Sequence, residues 1–113
     1  MTAEILPKRA YRTVLASGNT QMFTVPANML GRIDKVELDS RPLSGQPYPL
    51  TIQLLDAFAP TGGSSTTVIR KQIQVTPGER VDIDEWAGIQ IMGGCWGNTN
   101  VSGPIVSVVV ALE

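Results

Sequence analysis

The densest group of ionisable side chains is Asp82-Ile83-Asp84-Glu85. In an extended strand alternate residues share a face, so Asp82 and Asp84 point outward together while Val81 and Ile83 point in. Two carboxylates on one face can begin a calcium site, but calcium takes about six to eight oxygen ligands, so other loops would have to contribute. The same pair has the composition of a glycosidase acid and base, chemistry that also needs a sugar-stacking cleft. The six aromatic residues are scattered along the chain. The expectation is therefore a solvated acidic strand end that holds no metal and does no catalysis. Cys95 lies in Gly93-Gly94-Cys95-Trp96-Gly97. A reactive thiolate needs a cation or a helix N-terminus nearby. Neither is adjacent, and Cys95 reads as a small buried residue at a strand end. Gly93-Gly94-x-x-Gly97 lacks the spacing of a dinucleotide loop, and a polar loop and a strand follow it rather than a helix. Asn100-Val101-Ser102 fits a glycosylation sequon but reads as a polar loop.

Lys8, Arg9 and Arg12 form the basic cluster. Three charges hold nucleic acid weakly and with strong salt dependence, so nucleic acid is not an expected partner. The formal charge of -1 adds no attractive field. Trp86 and Trp96 are candidate oligomer-interface anchors, since tryptophan is enriched in interface hot spots, and each serves equally well as a cap on the core. The 113 residues contain no histidine and one cysteine. That removes Ser-His-Asp and Cys-His nucleophiles, histidine-ligated metals, intrachain disulfides and cysteine-held clusters. No catalytic residue, cofactor or small-molecule substrate is expected. The first nine residues have no apolar signal core, and the apolar run at residues 108–112 is too short to span a membrane. The chain reads as made in the cytoplasm with no membrane partner.

Val, Ile and Thr make up 30 of the 113 residues, and Gly and Pro punctuate them at short intervals. That composition suits strands. Residues 1–9 have no period and read as an N-terminal arm ahead of a single domain, 10–113. Strands are expected at 11–16, 20–25, 31–39, 50–58, 67–75, 81–83, 88–95 and 104–112. Ile33 is out of step with Val36 and Leu38, which calls for a bulge near Asp34. Residues 41–49 hold three prolines and form a stiff surface loop. Residues 60–65 read as a flexible loop tip. In 67–75, Ile69, Ile73 and Val75 alternate with Arg70, Gln72 and Gln74. A short helical turn fits near Trp86, and residues 96–100 read as a polar loop. Strands 50–58 and 104–112 are apolar on both faces, as central strands are. About eight antiparallel strands at roughly ten-residue spacing predict an all-β, jelly-roll-like sandwich.

From Tyr11 to Glu113 the chain resembles the small decoration, or cement, proteins of tailed-bacteriophage capsids. The stretches that carry the resemblance are Ser17-Gly18-Asn19-Thr20-Gln21-Met22-Phe23-Thr24-Val25-Pro26-Ala27-Asn28 and Val81-Asp82-Ile83-Asp84-Glu85-Trp86-Ala87-Gly88-Ile89. The resemblance implies a homotrimer on the capsid exterior of the virion, bridging neighbouring subunits of the major capsid protein. Under it, Ile5, Leu6 and Pro7 form the arm's contact surface, and Arg9 and Arg12 pair with acidic capsid groups. Arg41, Pro42, Pro47 and Tyr48 then present a preorganised loop contact. A second likeness gives the alternative, a carbohydrate- or receptor-binding module. Phe23-Thr24-Val25-Pro26-Ala27-Asn28 is similar to the opening strand of small calcium-dependent bacterial lectins. The acidic calcium loop of those lectins has no counterpart in residues 97–103, so their sugar site does not carry over.

Overall fold

A computed structural model describes residues 8–26, 28–47, 49–58 and 66–113. The strands are β1 (Lys8–Val14), β2 (Gly18–Thr24), β3 (Gly31–Asp39), β4 (Leu50–Phe58), β5 (Thr66–Val75), β6 (Arg80–Asp82), β7 (Gln90–Ile91), β8 (Gly94–Thr99) and β9 (Ile105–Leu112). They form two antiparallel sheets. One has the order β1-β9-β3-β6, with β7 also paired to β3, and the other has the order β2-β8-β4-β5. Consecutive strands repeatedly fall in opposite sheets, which is jelly-roll connectivity. Single 3-10 turns lie at Arg41–Leu43, where Pro42 suits the first turn, and at Asp84–Trp86.

The core lies between the sheets and follows strand parity. Val36, Leu38, Val106, Val108 and Val110 meet Ile52, Leu54 and Cys95 from the facing sheet. Tyr11 stacks on Phe23 at 5.1 Å, joining β1 to β2 along one side of the sandwich. The register of β3 on β9 shifts between Ile33 and Lys35, the bulge expected at Asp34. β4 and β9 are both central strands, which explains their two apolar faces.

Three expectations are corrected. The strand β1 starts at Lys8, so Lys8 and Arg9 are strand residues; residues 1–7 of the expected arm, and the expected loop tip at 60–65, lie outside the described residues. The segment read as a polar loop, residues 96–100, is mostly β8, paired on both sides. Its inward positions are Cys95, Gly97 and Thr99. A side chain at Gly97 would stand 3.1 Å from Leu15, so the small residues leave room for neighbours. Finally, β5 changes parity. Leu54 pairs with Lys71 and Leu55 with Ile69, leaving Arg70 as a bulge. Ile73 and Val75 pack toward the core, while Ile69 is turned outward and 60% exposed. At the bulge Arg70 donates to Asp56, which is fully buried.

Candidate functional site

The two outer faces of the sandwich differ in charge. Outward positions of the β1-β9-β3-β6 sheet carry Lys8, Arg12, Arg32, Lys35, Glu37, Asp39, Arg80 and Asp82. Arg80 donates to Glu37 at 2.7 Å, and Arg41 reaches Asp39 through Nε at 2.9 Å and Nη2 at 2.8 Å. The Arg41 side chain, helped by its backbone N–H, lowers the Asp39 carboxyl to about 2. Arg80 likewise lowers Glu37. Lys8 meets Asp34 at 3.2 Å, and Arg32 meets Glu113 at 3.2 Å. Such exposed pairs are weak and screened by salt. Arg12 and Lys35 make no side-chain hydrogen bond or ion pair among the described residues, though Lys35 lies near enough to Glu37 to help lower its carboxyl, and with Glu37 they flank a depression of about 300 Å³ floored by Ala10, Ser107 and Val109.

The outer face of β2-β8-β4-β5 carries no formal charge at its paired outward positions, and the register sets it out in rows. Asn19, Asn98, Gln53 and Gln72 lie side by side across all four strands. Asn98 donates to Asn19 at 2.6 Å and Gln53 to Gln72 at 2.8 Å. The next row is Gln21, Trp96, Leu55 and Ile69, and the one after it Thr24, Gly94, Ala57 and Thr67. Rows on one face stand about 7 Å apart along the strands and neighbours about 4.8 Å apart across them. The indole of Trp96 lies down over Gly94: a Cβ there would fall 3.2 Å from Trp96 Nε1 and 3.3 Å from Gln21 Nε2. Trp96, Asn19, Leu55, Ala57 and Thr67 line a depression of about 210 Å³.

Beneath this face Asp56 anchors the start of β8. Its carboxylate accepts from Arg70 Nη2 at 2.8 Å, from the Met92 N–H at 2.9 Å and from the Gly93 N–H at 3.0 Å. One buried side chain thus ties β4 to β5 and to the segment entering Gly94.

The structure separates the residues expected to make contacts. Ile5, Leu6, Pro7 and Tyr48 lie outside the described residues. Arg9 is at the opposite end of the first sheet from Asp39, beside which Arg41 and Pro42 sit. The gap along the strands is about 17 Å. Arg12 shares a row with Ser107 and Glu37, while Pro47 is exposed in the β3–β4 connection. Trp86 is 1% exposed and belongs to the core, so it offers an interface no surface and the core-cap reading holds for it. Trp96 is the partly exposed tryptophan. Cys95 is buried, and burial, with the Asp56 charge behind it, raises its thiol well above the ordinary range. Among the described residues no three acidic or cysteine side chains are grouped to hold a metal ion. The amide rows and Asp56 were missed by sequence reasoning. Their signals were the small inward residues of β8 and an acid at an inward position of an apolar strand. No protein-family model matches the chain, and no curated protein matches its sequence.

Proposed function

We propose that this protein is a non-enzymatic structural protein of a bacteriophage virion, a capsid decoration or cement protein. It docks on the outside of the head as a homotrimer and bridges neighbouring major-capsid subunits. The observation that carries this reading is the charged outer face of β1-β9-β3-β6, where Arg12, Lys35 and Glu37 surround a floor of Ala10, Ser107 and Val109. The face is strand-built, shallow and bordered by exposed ion pairs. It suits a broad protein surface with acidic groups better than a small substrate. Trimerisation makes three copies of such a weak contact act together, and avidity can exceed single-site affinity by about 10²–10⁴. Jelly rolls serve in viral particle proteins as well as in lectins, so the fold is compatible with the reading without selecting it.

The first test is solution mass by light scattering at several salt concentrations. A salt-resistant species of about three times the 12.1 kDa chain is expected, and a monomer counts against the reading. Co-sedimentation with phage heads follows. Charge reversal at Arg12 and Lys35 together is expected to weaken it while leaving the fold unchanged.

A further inference from the structure

We propose that the outer face of the β2-β8-β4-β5 sheet is a binding surface for uncharged carbohydrate, centred on Trp96. This does not rest on the capsid reading, which concerns the other face. The first observation is the sorting of charge. The paired outward positions of this sheet hold no Asp, Glu, Lys or Arg, although the opposite face is dense in them. A nucleic acid or an acidic glycan would find no cation at these positions, whereas a neutral sugar needs none.

The second observation is the posture of Trp96. With glycine at position 94 the indole lies along the sheet and not upright from it, and Gln21 reaches over the same spot. An aromatic face carries negative quadrupolar charge. The C–H bonds on one side of a pyranose ring are weakly positive and apolar, and they stack on such a face. The depression beside Trp96, about 210 Å³, has the size of a sugar unit and not of a long peptide.

The third observation is what surrounds the indole. A sugar hydroxyl both donates and accepts, and a side-chain amide offers two donors and an acceptor. Asn98 spends one donor on Asn19 and Gln53 one on Gln72, so each pair is held in place with hydrogen-bonding capacity left over. Holding these side chains before binding lowers the entropy lost on binding. A protein partner would gain from a single apolar row, Trp96, Leu55 and Ile69, and would have to desolvate an amide row and a Thr/Gly/Ala row beside it. A sugar chain uses the apolar row and the amides together.

The test uses the full chain and a panel of soluble oligosaccharides. Neutral members are oligomers of glucose, mannose, galactose and N-acetylglucosamine; acidic members are uronate oligomers and sialylated glycans. Binding is read by the Trp96 indole N–H and the backbone amides of β8 and β4 in heteronuclear NMR. At least one neutral member is expected to shift these signals with a Kd of about 1 mM or tighter. Trp96→Ala is expected to lower that affinity by about tenfold or more with the melting temperature unchanged. Should Trp96→Ala unfold the protein, Gln21→Ala, at an exposed site, carries the test with an expected loss of about threefold or more. Arg12→Ala, on the opposite face, leaves sugar binding unchanged. The proposal is overturned if no neutral member shifts these signals at about 10 mM. Acidic glycans binding as well as neutral ones, or binding that survives both substitutions, overturns it too, as does a purified protein partner docking on this face while sugars stay inert. Trimer mass and head binding are read separately, so either proposal can fail alone.

Discussion

Replacing Asp56 with alanine removes the acceptor shared by the Arg70 guanidinium and the N–H groups of Met92 and Gly93. Hydrogen bonds to a charged acceptor contribute about 1.5–3 kcal/mol each, partly replaced by water at these half-buried donors, so Asp56→Ala should lower unfolding stability by about 3 kcal/mol in urea titrations. Asp56→Asn keeps the shape and one acceptor and should cost less. A second residue-scale prediction concerns pH. Asp39 has its carboxyl lowered to about 2 from an ordinary 3.8, chiefly by the Arg41 side chain. A depressed carboxyl contributes stability that is fully present above about pH 4 and is lost as pH falls through about 2. A carboxyl NMR titration should place Asp39 at the low value. Arg41→Ala should raise it only part of the way, because the Arg41 backbone N–H still donates at 3.1 Å. High salt should narrow the difference, since the pair is exposed.

Among the elements, β5 and β8 departed furthest from their sequence pattern. Strict alternation places Ile69, Ile73 and Val75 on one face. The bulge at Arg70, where the guanidinium meets Asp56, moves Ile69 to the other. Ile69→Thr should therefore change stability by less than about 0.5 kcal/mol, while Ile73→Thr should cost about 1 kcal/mol or more. Equal costs in a denaturant series would mean that the register is unshifted. In β8 the residues Trp96-Gly97-Asn98-Thr99 look like a loop by composition, following a strand expected to end at Cys95. They form a central strand because the facing Leu15 and Met22 fill the volume that Gly97 leaves.

At the scale of the whole molecule, every sheet edge carries a feature that opposes strand addition. β5 has its bulge and Lys71 at an inward parity, β2 has a register shift between Gln21 and Phe23, β1 bears Lys8, Arg9 and Arg12, and β6 and β7 are three and two residues long. Charges, bulges and short strands at edges block edge-to-edge pairing. Assembly through the sheet faces is thereby favoured over assembly through edges, which agrees with placing both proposed contacts on faces. The buried Cys95 reports on the integrity of the whole sandwich. It sits between the sheets, and burial raises its thiol. Labelling by a thiol reagent should be negligible in native buffer, and its rate in dilute urea should follow the global unfolding equilibrium. Fast labelling without urea would mean that the β2-β8 side opens on its own.

Much of the architecture is local information. β3 and β4 have the expected bounds, and the bulge at Asp34, the turn near Trp86 and the two central strands are all readable from apolar period and from proline and glycine positions. Period-two burial is a property of each strand by itself, so it survives without knowledge of partners. The face that carries Trp96 is not local. Asn19 and Asn98 are 79 residues apart, with Gln53 and Gln72 between them, and only cross-strand register aligns the four. Likewise the orientation of Trp96 depends on glycine at position 94 and on Gln21 from another strand, and the parity of Ile69 depends on the bulge in the pairing with β4. Strand formation follows from neighbours in sequence. Which side chains share a face, and which charges are kept from it, is decided where strands meet.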